Sequence, residues 1–210
     1  MKKVLSCSQL TFVALSSIFL TGCLFRPAPV PPRYFVLAPI PADETNGTPN
    51  SHFSVEIGFV KMPAYLLRDS IVVRTGPNEI EYLENALWGE RLDRCFQRTL
   101  LTDLSQSLRS DYAHLAEAEP DKKSVRVFIN VNQFDVDTTG RGRFVAQWRI
   151  VGSNSEETLK SGNTSLVRTG VPPLRNTESI AKTMSDLTAE FSHELARYVC
   201  SSATPGGGPP

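Results

Sequence analysis

Cysteine offers the most informative chemistry in this chain, and Cys23 stands in the clearest setting. It follows Leu20-Thr21-Gly22. Small residues before a cysteine let processing enzymes reach the backbone, and the thiol is the atom that accepts a diacylglycerol. Lys2 and Lys3 supply a positive start, and the apolar run from Leu10 to Leu20 has the roughly ten-residue length of a secretory signal core. A membrane-spanning helix needs about 20 apolar residues; here the run gives way to Phe25-Arg26-Pro27-Ala28-Pro29-Val30-Pro31-Pro32. Residues 1–22 therefore read as a signal peptide ending in a lipobox, with Cys23 as a lipidated N-terminus. A single acyl chain anchors only marginally, whereas several hold a protein on a bilayer. Leu24 stands where an Asp would signal inner-membrane retention in enteric bacteria, so the expected address is the outer membrane, facing the periplasm.

Two cysteines remain after Cys7 leaves with the signal. In an oxidising compartment Cys95 and Cys200 favour one disulfide, which antiparallel helices would allow; two separately buried thiols are the alternative. His52, His114 and His193 are far apart, lack ligand spacing and sit in no nucleophile motif, so neither a metal site nor an enzyme is expected. His193 reads as a surface residue, and Gly140-Arg141-Gly142 as a turn. Asp135 and Asp137 either pair as carboxylates on one strand face or merely line its solvent side. Trp88 and Trp148 each sit in an amphipathic element, where core packing outweighs contact with lipid or partner. Met62-Pro63-Ala64-Tyr65-Leu66-Leu67 places apolar side chains where a polar turn would be usual, so it is a buried corner or a partner contact. Without Lys2 and Lys3 the 22 basic and 22 acidic residues become 20 and 22, and this near-neutral balance without a basic block argues against nucleic acid.

The elements that must position these residues can be read from periodicity. Residues 23–32 form a lipidated Cys and Pro-rich linker, an extended spacer. Strands are expected at Arg33–Leu37, Phe53–Val60, Ser70–Arg74, Glu79–Leu83, Val125–Phe134, Phe144–Val151 and Leu159–Arg168. Leu92, Cys95, Phe96, Thr99, Leu100, Leu104 and Leu108 mark one stripe of a helix from about Trp88 to Arg109, and Ile180, Met184, Leu187, Phe191, Leu195 and Val199 mark another, capped by Asn176 or Thr177. The expected fold is α+β: a mostly antiparallel β-sheet with two long helices packed on one face, spanning 33–200. Residues 201–210 have little to bury and are expected to be disordered.

In order along the chain, Tyr34–Leu37, Val55–Leu66 with Arg68, Ile71–Arg74, Trp88-Gly89-Glu90 with Leu92, Arg98–Leu104, Val125–Asp137 and Ala146-Gln147-Trp148 resemble the PqiC (YmbA) family of ABC-type transport auxiliary lipoproteins. The family more typically reads Trp-Ala-Glu-Pro-Leu where this chain has Trp88-Gly89-Glu90-Arg91-Leu92. The resemblance implies a non-enzymatic docking component of an intermembrane lipid-transport system, without a cofactor beyond the covalent lipid on Cys23. Its implied partner is an MCE-domain (PqiB-like) protein and that protein's inner-membrane component, and its implied assembly a homo-oligomeric ring. Met62, Pro63, Tyr65, Leu66, Leu67, Arg68 and Trp88 are the expected partner contacts. The competing reading is an independent periplasmic lipid- or solute-binding lipoprotein.

Overall fold

Strand β6 (Ser124–Asp137) organises the sheet, because its 14 residues are long enough to take two neighbours along one edge. The computed structural model describes residues 30–41, 54–108, 113–115, 124–152, 157–174 and 176–203. Chain order runs β1 (Arg33–Phe35), β2 (Ser54–Lys61), β3 (Ser70–Gly76), β4 (Glu79–Trp88), helix α1 (Leu92–Leu108), β5 (Ala113–Leu115), β6, β7 (Arg141–Gly152), β8 (Thr158–Thr169) and helix α2 (Glu178–Ala203). Cys23, the signal segment, most of the linker, His52 and residues 204–210 lie outside the described residues.

Two helices and one sheet confirm the α+β class, but the sheet is mixed. β3–β4, β6–β7 and β7–β8 pair antiparallel. β1–β4, β2–β5, β2–β6 and β3–β6 pair parallel. The first half of β6 pairs with β2 and its last residues with β3, since the chain returns to β6 only after crossing through α1. Alternating burial marks a strand but carries no sign of its neighbour's direction, so these crossovers were not legible. The three-residue β5 at the β2 edge is too short to show a period of its own.

Both helical stripes bury as expected. Ile180, Met184, Leu187, Phe191, Leu195 and Val199 are each at most 2% exposed, and Asn176 Oδ1 accepts the Glu178 N–H at 3.0 Å as a cap. Phe96 of α1, Phe134 of β6, Phe144 of β7 and Phe191 of α2 meet with ring centroids 4.8–6.4 Å apart. Such a cluster adds ring–ring contact energy to the burial of four large side chains. The β6–β7 hairpin closes at Gly140, whose φ of 87° is left-handed and suits glycine.

Trp88 belongs to β4, not to the helix. Its N–H donates to the Asp69 carbonyl at 2.7 Å and the Gly89 N–H to the Phe35 carbonyl at 2.8 Å, because β1 pairs alongside Ala86–Trp88 and draws the strand on. Helix α1 starts only at Leu92.

Candidate interaction surface

The corner between β2 and β3 is built around two residues that point inward. Pro63 starts a short 3-10 turn, Ala64–Leu66, closed by Leu66 N–H to Pro63 O at 3.0 Å and Leu67 N–H to Ala64 O at 3.1 Å. Leu66 is 2% exposed. Tyr65 packs its ring on the core and sends its hydroxyl to Asp135 Oδ2 at 2.8 Å. Met62, Pro63 and Leu67 are half-buried, and Arg68 is exposed, its guanidinium 4.8 Å above the Tyr82 ring. The corner is thus buried at its centre, with a rim of Met62, Pro63, Leu67 and Arg68. Leu66 and Trp88, both in the core, leave the contact set: a side chain filling the interior has no surface to offer a partner.

Asp135 fixes that corner to the sheet. It is 2% exposed, yet it accepts from Arg74 Nε at 3.2 Å, Arg74 Nη2 at 2.7 Å, Gln133 Nε2 at 2.8 Å and the Tyr65 hydroxyl. The fork of Arg74 suits this two-oxygen grip. Hydrogen bonding to Asp135 holds the Arg74 guanidinium above its ordinary value. Burial, then the negative charge of Asp135, pushes the Tyr65 phenol well above the usual range. Asp137 does not pair with Asp135. It closes the β6–β7 turn by accepting from Thr139 N–H at 2.9 Å, Thr139 Oγ1 at 2.6 Å and Arg141 N–H at 3.0 Å. Burial raises the Asp137 carboxyl, but these bonds prevail and hold it below its ordinary value.

Away from the helices, the sheet presents a second surface that periodicity alone did not single out. Phe59 is 70% exposed, and Arg149 stacks 4.8 Å above the Phe128 ring. Lys61, Asn130, Gln147 and Asn163 stand in one cross-strand row. Together they border a depression of about 590 Å³. Also on β2, Glu56 is 0% exposed and accepts from Arg126 Nε at 2.8 Å and Ser124 Oγ at 3.0 Å.

On the helix side, residues 36–41 run along the seam between α1 and α2. The Leu37 N–H donates to Cys95 Sγ at 3.1 Å, Ala38 N–H to Ser185 Oγ at 3.0 Å and Ile40 N–H to Asp103 Oδ1 at 2.8 Å. Thr99 Oγ1 donates to the Leu37 carbonyl at 3.3 Å. Desolvation pushes the Asp103 carboxyl up to about 6 and raises the Cys95 thiol. The expected Cys95–Cys200 disulfide is not formed. Its premise was antiparallel helices, but the two run in the same sense: neighbouring Leu37 and Ala38 reach Cys95 and Ser185 near both N-terminal ends, while Ser107 near the end of α1 lies 3.2 Å from His193 Nδ1. Cys200 is exposed and sits about 10 Å farther along α2 than His193. Exposed His193 is the surface residue expected. Trp148 is 5% exposed, stacked on Tyr198 with centroids 4.7 Å apart and donating Nε1–H to Thr164 Oγ1 at 3.0 Å.

The profile of the family described as "ABC-type transport auxiliary lipoprotein component" matches residues 35–196. A crystal structure of an uncharacterized protein superposes with a TM-score of 0.65 at 18% identity, covering 81% of this chain and 99% of the other. That of protein XCC0632 from Xanthomonas campestris superposes with a TM-score of 0.64 at 13% identity, covering 81% and 95%. At such identities the likeness shows the fold. No curated protein matches the chain.

Proposed function

The chain belongs to the family of ABC-type transport auxiliary lipoprotein components, and from that premise we propose that it is the docking component of an MCE-type intermembrane lipid-transport system. In this reading the lipid on Cys23 anchors it in the outer membrane facing the periplasm. An MCE-domain (PqiB-like) protein, reaching out from its inner-membrane component, meets a ring of copies. The work is binding rather than catalysis. The observation that carries the reading, beside family membership, is the β2–β3 corner: Tyr65 is locked on Asp135, so the Met62, Pro63, Leu67 and Arg68 rim is held in place before any partner arrives. Rigid presentation lowers the entropy lost on binding. A membrane tether and a ring of equivalent sites then multiply a weak contact through effective concentration.

Size-exclusion chromatography with light scattering tests it, using the full lipidated chain in detergent with the MCE-domain protein of the same genome. Co-elution is expected, and Arg68→Glu is expected to weaken it by at least about tenfold with the fold unchanged. Failure of the wild-type chain to co-elute would overturn the docking role. A second reading, an independent lipid or solute binder, is favoured by one feature, the cleft of about 1140 Å³ between residues 33–41 and α2. Stoichiometric lipid on a monomer in native mass spectrometry would move the assignment there.

A further inference from the structure

Among the described residues, two margins of the sheet each carry charge of a single sign. Strands β7 and β8 carry Arg141, Arg143, Arg149, Lys160 and Arg168 and no acidic residue. Strand β4 carries Glu79, Glu81 and Glu84 and no basic one. The strand order runs from β1 and β4 through β3 to β6, and then on through β7 to β8, so these strands lie towards opposite ends of the sheet. Arg168 of the β7–β8 margin is matched by Glu190 of α2 at 2.9 Å, and away from the margins other cations meet acids: Arg33 with Glu178 at 3.6 Å, Lys182 with Asp186 at 3.1 Å, Arg126 with Glu56 at 2.8 Å. By contrast Glu79, Glu81, Glu84, Arg143 and Arg149 are all exposed, and among the described residues none of them forms an ion pair.

Both margins also leave backbone edge open. Among the described strands β8 pairs only with β7, and β4 has β1 beside it only at Ala86–Trp88, leaving its outer edge uncovered from Glu79 to Asn85. An open edge offers unpaired N–H and C=O groups to another chain. The β8 margin adds apolar surface, with Leu159 44% and Val167 41% exposed, and β4 adds the half-buried Ile80 and Leu83. Apolar contact framed by complementary charge is the usual composition of a specific interface.

We propose that copies of this chain associate head to tail, the acidic β4 margin of one against the basic β7–β8 margin of the next. The occupant of each margin is a second copy because the complementary surface is present on the same molecule. Two different patches make the contact heterologous, and repetition of such a contact closes into a ring when its rotation permits. The inference rests on the oligomeric part of the function proposed above and assigns its contact surfaces.

Two charge-reversed forms of the full lipidated chain test it by sedimentation velocity in detergent at low ionic strength, where exposed charges are least screened. One is Glu79→Lys with Glu81→Lys, which leaves both margins basic; the other is Arg141→Glu with Arg143→Glu and Arg149→Glu, which leaves more acids than cations on β7–β8 and so makes that margin acidic to match β4. The wild type is expected to be a discrete oligomer, each variant alone a monomer, with association weakened by at least about tenfold. Mixed in equal amounts, the two variants are expected to regain the wild-type size, since every contact in an alternating assembly is again complementary; that recovery also shows that both fold. A monomeric wild type, variants that assemble alone, or a mixture that stays monomeric would each overturn the proposal. None of these outcomes decides docking to the MCE-domain protein, which stands on its own co-elution and on Arg68.

Discussion

Asp135 and Asp103 are both sealed from solvent, at 2% and 0% exposure, yet they are held in opposite ways. Asp135 has four donors from three side chains and sits between two strands and a corner. Asp103 has one donor, the Ile40 N–H, and its Oδ2 has no hydrogen-bond partner among the described residues. A buried carboxylate is costly unless its charge is matched and its lone pairs filled. The first therefore behaves as an anchor for the β2–β3 corner. The second is a weak latch on residues 37–40, the stretch by which the chain enters the domain. One fold has thus placed a rigid presenting edge and a loosely held entry segment on different elements.

The largest effect should come from breaking the anchor. Asp135→Ala strands the Arg74 guanidinium in a partly buried site without its hydrogen-bonded carboxylate, and removal of one member of such a pair typically costs about 3–5 kcal/mol. Urea unfolding near neutral pH reads this directly; a loss below about 1 kcal/mol would show that the cluster is ornamental. The latch makes a prediction of different form. Because the Asp103 carboxyl is raised from 3.8 to about 6 in the fold, the folded state binds the extra proton between those values. Its contribution is thus fully present below about pH 4 and lost as pH rises through about 6, a swing of about 3 kcal/mol. Asp103→Asn should flatten that part of the stability–pH profile relative to wild type. Identical slopes for the two proteins from pH 4 to 7 would remove Asp103 as the cause.

What the sequence disclosed and what it hid divide along the same line. Stripes such as Leu92-Cys95-Phe96 and Ile180-Met184-Leu187 are local, and a helix has no choice but to bury them on one side, so both helices and the β6–β7 hairpin were readable. Asp135 was visible only as a strand residue two places from Asp137. Its partners Arg74 and Tyr65 arrive through the parallel β3–β6 contact and the β2–β3 corner, and nothing in an alternating pattern encodes such a crossover. The loop from Met62 to Leu67 places apolar side chains at a turn, but spacing cannot say which of them point in. Leu66 does, and Arg68 does not. The amphipathic pattern of the helix runs on toward Trp88, but the β1 pairing at Ala86–Trp88 overrides that local signal and keeps the residue in β4. The same lack of orientation misled the cysteines, since a disulfide between Cys95 and Cys200 required helices of opposite sense.

A smaller substitution sharpens the anchor. Tyr65→Phe removes one of four donors while leaving the ring and the Arg74 fork in place, so a loss of about 1.5–3 kcal/mol is expected, as for a hydrogen bond to a charged group. It should also weaken the proposed docking to an MCE-domain protein by more than Leu67→Ala does, if a fixed rim is what such a partner reads. Equal effects of the two changes would separate corner rigidity from binding.

The smallest change tests whether the entry segment opens by itself. Ser185 Oγ accepts the Ala38 N–H at 3.0 Å while donating to the Ala181 carbonyl at 2.7 Å, so Ser185→Ala deletes a link of the seam without touching the core. About 1 kcal/mol is the ordinary worth of such a bond, and where that loss is felt matters more than its size. If residues 37–40 form a separate unit, amide exchange should speed about fivefold at Leu37, Ala38 and Ile40 while the core strands β6 and β7 keep their protection. Lowering the pH below 6 should slow exchange at Ile40 less in Asp103→Asn than in wild type once intrinsic rates are corrected, because only wild type then sheds a buried charge. If exchange instead rises uniformly across segment and core, the seam is part of the global cooperative unit, and the contrast between anchor and latch reduces to one of energy rather than of motion.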